Sequence, residues 1–151
     1  MKNSKNAFTM IELIFVIVIL GILAAVAVPK LTATRNDAIV AKIAQNIMVG
    51  ASEIASYAVS KGNTTTDLTI MSNGIASLEN SGEAILTNRT ATVALGSVTD
   101  CVTVQVVSGT NDENLTITFG NAVGDGKCLS LQSAIDAQQY PMQLRGTLVE
   151  H

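Results

Sequence analysis

An apolar run fills residues 8–28, FTMIELIFVIVILGILAAVAV, and limits what this chain can become more tightly than anything after it. A helix of about 20 apolar residues crosses the roughly 30 Å hydrocarbon core of a bilayer. A helix also satisfies its own backbone polar groups, which that environment demands. The run follows a short, polar, basic stretch at residues 1–7, MKNSKNA. In a secretory signal peptide the apolar region is shorter and a small-residue cleavage site comes after it. Here the small residue, Ala7, precedes the run. A cut between Ala7 and Phe8 would therefore leave the apolar helix on the mature chain.

One residue breaks the pattern. Glu12 is the only charged residue between Lys5 and Lys30. A carboxylate near the centre of a bilayer costs roughly 2.5–3.5 kcal/mol on insertion scales, and less near the interface. Two readings follow. Glu12 lies shallow and stays hydrated, or it pairs with a cation at similar depth. A new α-amino group on Phe8 would supply that cation, within the chain or on a neighbour, and the paired reading is the preferred one.

The string AFTMIELIFVIVILGILAAVAVPKL, residues 7–31, resembles the prepilin cleavage and assembly signature of type IV pilins and type II secretion pseudopilins. The resemblance rests on the combination of a basic leader, Phe8, Glu12 four residues on, the aliphatic run, Gly21 and Pro29. It implies cleavage by a prepilin peptidase and N-methylation of Phe8. It also implies engagement of Glu12 with the terminal amine of an adjacent subunit. Ala7 departs from the Gly that usually precedes the cut, and Ala is the smallest alternative. The implied partners are further copies of the chain, other pilin-like subunits, the peptidase/methylase and an inner-membrane assembly platform. The implied location is a single-pass anchor in a bacterial inner membrane with the C-terminal domain in the periplasm, then a periplasmic pseudopilus or a surface pilus.

The expected organisation is a leader at 1–7, a transmembrane and assembly helix at 8–29, and a periplasmic or extracellular domain at 30–151. Beyond Pro29, Ile39, Ile43, Ile47, Ala51, Ile54 and Ala58 recur at helical spacing, which predicts one buried helical face. Gly62-Asn63 is a stop signal. Helix is expected from about residue 9 to 61, with a kink at Pro29 and a soft point at Gly21. Strands are expected at 90–95, 101–107 and 115–119, the last two joined as a hairpin through a turn at 108–113. Residues 75–88 are ambiguous, 124–126 read as a turn, 132–140 as a short helix ended by Pro141, and 142–149 as a last strand. The fold class is α+β: a long N-terminal helix, membrane-spanning in its first half, packed by its second half on a small antiparallel sheet. That arrangement also fits the pilin family.

Two cysteines, Cys101 and Cys128, in an exported chain suggest one disulfide. Net charge is −3, and loss of Lys2 and Lys5 leaves seven basic and twelve acidic residues, or −5. With aromatic content of 3%, this is no electrostatic or stacking platform for nucleic acid. His151 is the single histidine and the last residue, so no Ser/His/Asp set can form around it, and no phosphate-loop, dinucleotide or zinc spacing occurs. A non-enzyme without cofactor is expected. Because related major pseudopilins use calcium, Asp112, Glu113 and Asp125 are weak calcium candidates. No twelve-residue calcium loop is present, and solvated turn carboxylates are the simpler reading. Asn-x-Thr sequons begin at Asn63, Asn88 and Asn114, with Asp112 placing an acid two positions before the third. The leading functional reading is a filament subunit, more a pseudopilin of a type II secretion or DNA-uptake machine than a type IV pilus pilin. The competing class is a membrane-anchored periplasmic binding domain that does not polymerise, which needs neither Glu12 nor the cut.

Overall fold

The computed structural model describes residues 8–109 and 112–145. The chain divides into two compact units, Met1–Asp37 and Ala38–His151. A single helix, α1 (Met10–Lys61), begins in the first and ends in the second. Pro29 lies inside α1 without ending it. It has no N–H to offer, so the Ala25 carbonyl loses its usual donor. Just beyond, the Thr32 hydroxyl donates to the Val28 carbonyl (3.0 Å) and the Thr34 hydroxyl to that of Leu31 (3.0 Å).

In the second unit α1 is amphipathic. Ile43, Ile47, Ala51, Ile54 and Ala58 are buried as their spacing predicts, with Val40, Ala44 and Gly50 beside them. Ile39 is only partly buried, at the margin of the core. Gly62 ends the helix at φ +71°, with its N–H on the Ala58 carbonyl (2.9 Å), as a C-terminal glycine does.

After a short helix, α2 (Leu68–Met71), the ambiguous stretch 75–88 resolves into most of α3 (Asn73–Asn80) and β1 (Ala84–Thr87). Helix α3 crosses α1 closely. A Cβ on Gly74 would lie 2.6 Å from the Asn46 carbonyl oxygen and 3.0 Å from the Gly50 nitrogen. Glu53 on α1 serves the same crossing, because its carboxylate accepts the Gly74 N–H (3.0 Å) and the Ser72 hydroxyl (2.8 Å). The Gly74 N–H and then Ser72 hold the Glu53 carboxyl below its ordinary range, against the effect of burial. Lys42 bridges to Glu83 at 3.1 Å just after α3.

The sheet continues with β2 (Thr90–Leu95), β3 (Val98–Ser108), β4 (Glu113–Phe119) and β5 (Met142–Arg145), antiparallel throughout in the order β1-β2-β3-β4-β5. The expected hairpin is β3–β4, paired from Val102↔Phe119 to Ser108↔Glu113. Its alternation is that of a half-buried sheet. Val102, Val104, Val106, Leu115 and Ile117 join Ala91 and Val93 in one core with the buried face of α1. The last strand ends within the described residues at Arg145, and the rest of the expected 142–149 stretch lies outside them.

Two expectations need correction. Residues 124–126 do not merely turn: they start α4 (Gly126–Ala134), which lies earlier than the short helix expected at 132–140. The reason is Asp125, whose carboxylate accepts the N–H groups of Lys127 and Cys128 (both 3.0 Å) and caps the helix. Only a 3-10 turn, Ala137–Gln139, follows before Pro141. Cys101 and Cys128 are joined, with Cα atoms 5.7 Å apart. The bridge ties β3 to α4 and closes a loop with a sequence separation of 27; closure of that size contributes roughly 3–4 kcal/mol in the chain-entropy model. Gln132 reinforces the join, donating to the carbonyls of Cys101 and Gly120 (both 2.9 Å).

Candidate assembly segment

The N-terminal turn of α1 is closed by a reciprocal pair. The Thr9 hydroxyl accepts the Glu12 N–H (3.3 Å), and the Glu12 carboxylate accepts the N–H and the hydroxyl of Thr9 (both 2.8 Å). This is a capping box, Thr-x-x-Glu, which satisfies donors that a helix start otherwise leaves bare. The sequence reading missed Thr9 as a functional residue, although a Thr-x-x-Glu ahead of an apolar run is a legible signal. The carboxylate thus has hydrogen-bond donors within its own chain.

Around it the helix is apolar on every side and bare. From Phe8 to Val28 the residues are all exposed, with Phe8 85% and Ile11 75% accessible. An 18-residue window of α1 has mean hydropathy 3.1 and no share buried within the chain, so the helix is long and apolar enough to cross a membrane. A helix apolar all round is stable only when lipid or other protein covers it. Apart from its chain neighbours and the local backbone of its own helix, Gly21 has nothing within 4 Å of where a Cβ would sit. Ala7, the residue expected before the cut, lies outside the described residues, and so do the polar, basic residues 1–6 ahead of it.

The calcium candidates do not converge. Asp125 is at the β2–β3 end of the sheet, where it accepts the Ser97 N–H (2.7 Å) and hydroxyl (2.9 Å). Asp112 and Glu113 are at the opposite end of the eleven-residue β3, roughly 30 Å away at strand rise. Asp112 accepts the Asn114 side-chain amide (3.2 Å). Glu113 is buried, at 5% exposure, against Arg89 (2.8 Å) and the Thr64 hydroxyl (2.9 Å). Arg89 also contacts the Ser108 hydroxyl, and its backbone is in the left-handed region at φ +59°, an uncommon conformation for a side chain of that size. Burial pushes the Glu113 carboxyl up, but Arg89, Thr64 and Ser108 together hold it below its ordinary range. Among the described residues no three His, Cys, Asp or Glu side chains are grouped to share a metal ion. Of the sequons, Asn63 and Asn88 lie exposed in turns, whereas Asn114 is half-buried within β4.

Asp125 gives a pH test. Hydrogen bonds from the Ser97 backbone first, then from Cys128 and the Ser97 hydroxyl, lower its carboxyl from 3.8 to about 2. A depressed folded pKa means stability that is full above 3.8 and lost as pH falls from there to about 2. Glu53, Asp67 and Glu113 are shifted in the same direction. The melting temperature of the detergent-solubilised chain should therefore be level above about pH 5 and fall steeply below it. Asp125→Asn should show a shallower fall, and an unchanged acid slope in that variant would remove Asp125 from the explanation.

The arrangement is α+β and pilin-like: a long N-terminal helix, bare and apolar at its start, followed by a five-stranded antiparallel sheet. Residues 2–28 match the family model described as the prokaryotic N-terminal methylation motif, the signature of type IV pilins and pseudopilins. No curated protein and no solved structure gives a match. The motif supports a type IV pilin-like subunit and points to a structural role.

Proposed function

We propose that this chain is a structural subunit of a type IV pilin-like filament, of the pseudopilin kind that serves a type II secretion or DNA-uptake machine. The observation that carries the reading is Glu12: a lone carboxylate, capping an exposed apolar helix inside a matched methylation motif. In this reading a prepilin peptidase cuts before Phe8, its new amine is methylated, and the helix is held in the inner membrane. Assembly then moves α1 from lipid into a bundle of like helices. Glu12 leaves Thr9 for the amine of a neighbour, and Gly21 and Pro29 give the helix room to pack. Small size and a plain five-stranded sheet favour a pseudopilin. The Cys101–Cys128 bridge favours the second reading, a type IV pilus pilin, and long surface fibres built of this chain would select it.

Intact mass of the protein from its own membranes, with and without reductant, tests the proposal. The expected mass begins at Phe8 with one added methyl group and one disulfide. A mass beginning at Met1 would reject processing and leave the anchored, non-polymerising domain as the better reading.

A further inference from the structure

The sheet has two edges, and they differ in charge. β1 is one edge and pairs only with β2. The Ala94 N–H donates to the Glu83 carbonyl (3.0 Å), which fixes the hydrogen-bonded pairs at 83/94 and 85/92. Antiparallel alternation then turns the N–H and C=O of Leu86 away from β2. Neither has a backbone partner among the described residues. Leu86 lines a groove of about 460 Å³ together with Asp67, Leu68 and Glu79. One Asp67 oxygen caps α2 through the Thr69 N–H (2.9 Å). Neither Asp67 nor Glu79 has a cationic partner among the described residues.

β5 is the opposite edge and pairs only with β4. Its last described residue is Arg145, which is exposed and has no anionic partner among the described residues. Within the described residues both edge strands have four residues.

We propose that the β1 edge of one copy receives the β5 edge of the next, with Arg145 seated in the groove beside Asp67 and Glu79. This rests on the filament reading and names the contact between its sheet domains. Short, charged edge strands ordinarily keep sheets apart. Here the charge works by direction. Two acidic β1 edges repel, as do two basic β5 edges, and only the unlike pair attracts. A contact between different surfaces of identical copies propagates head to tail, which is the symmetry of a filament. Leu86 supplies a backbone donor and acceptor for the incoming strand, and the carboxylates set its register.

The test is a charge exchange in the full-length chain, with membrane level and disulfide mass as controls for folding. Filament yield is read by sedimentation of polymer from gently lysed cells, which recovers periplasmic and surface filaments alike. Glu79→Lys and Arg145→Glu should each lower yield by roughly tenfold, because like charges then meet across the contact. The double variant should recover to within about twofold of wild type, as a direct pair requires. A Thr87→Cys, Gln143→Cys chain should in addition cross-link between copies in filaments on mild oxidation. Normal yield from the single variants, or no recovery in the double, overturns the edge contact while wild-type filaments keep the filament reading intact. Absence of filaments from the wild-type chain overturns both.

Discussion

Glu12→Gln should reach the membrane at the wild-type level and assemble at least roughly tenfold less well, because a charge-assisted pair is lost. The choice of Gln separates two roles for one carboxylate. A capping box accepts Gln as readily as Glu at its third helical position. If Glu12 served only to close the first turn on Thr9 (2.8 Å), Gln would preserve it and filament yield would hold. If Glu12 answers the terminal amine of a neighbour, Gln leaves that cation without a counter-charge in an apolar bundle. Glu12→Ala should fail in the same way. Thr9→Ala, which removes the intrachain acceptor and leaves the charge, should assemble far better than either. Equal yields from Glu12→Gln and wild type would reduce the residue to a helix cap.

The second large effect concerns the domain alone. Gly74→Ala should destabilise it by about 1–3 kcal/mol, the usual range for overpacking, and lower its melting temperature by roughly 5–15 °C. Helix propensity pulls the other way, since Ala in place of Gly gains up to about 1 kcal/mol. Sterics decide the sign. The new methyl would meet the Asn46 carbonyl oxygen at 2.6 Å and the Gly50 backbone at 3.0 Å, and backbone atoms cannot rotate aside as a side chain can. α3 would have to move off α1, and the Glu53 bonds at the crossing would lengthen with it. Gly21→Ala is the control, because beyond its chain neighbours and its own local helix backbone nothing lies within 4 Å of its Cβ position. Thermal unfolding followed by near-ultraviolet dichroism compares the three chains. A Gly74→Ala melt equal to wild type would show that the crossing can open without cost.

What the sequence disclosed was local or periodic. α1 was readable because its buried residues keep one face of a helix from Ile43 to Ala58. The β3–β4 hairpin was readable because Val102, Val104 and Val106 alternate with polar residues across a turn. Glu12 stood out as the one charge in an apolar run. α4 was misplaced because Asp-Gly suits a turn and a helix start alike, and the Asp125 cap shows only in space. The Arg89–Glu113 pair joins residues 24 apart with no local pattern to couple them. The Gly50–Gly74 crossing and its Glu53 cap depend on which helices meet, a property of the assembled core. The calcium candidates were near one another only along the chain's turns, which the eleven-residue β3 separates.

The crossing of α1 and α3 has a mechanical meaning. Between residues 42 and 54 three features fix the helix axially against the sheet domain: Lys42 on Glu83, Gly50 under Gly74, and Glu53 on the α3 N-terminus. Slippage of α1 by one turn, about 5.4 Å, breaks all three at once, so no intermediate register is favoured. A pull applied along this stretch of α1 is therefore resisted in shear at α3 and at Glu83, together with the core that α1 shares directly with the sheet. In a polymer under tension, load would pass from helix to domain through the α1–α3 crossing and the shared core together, so the two would yield as one unit.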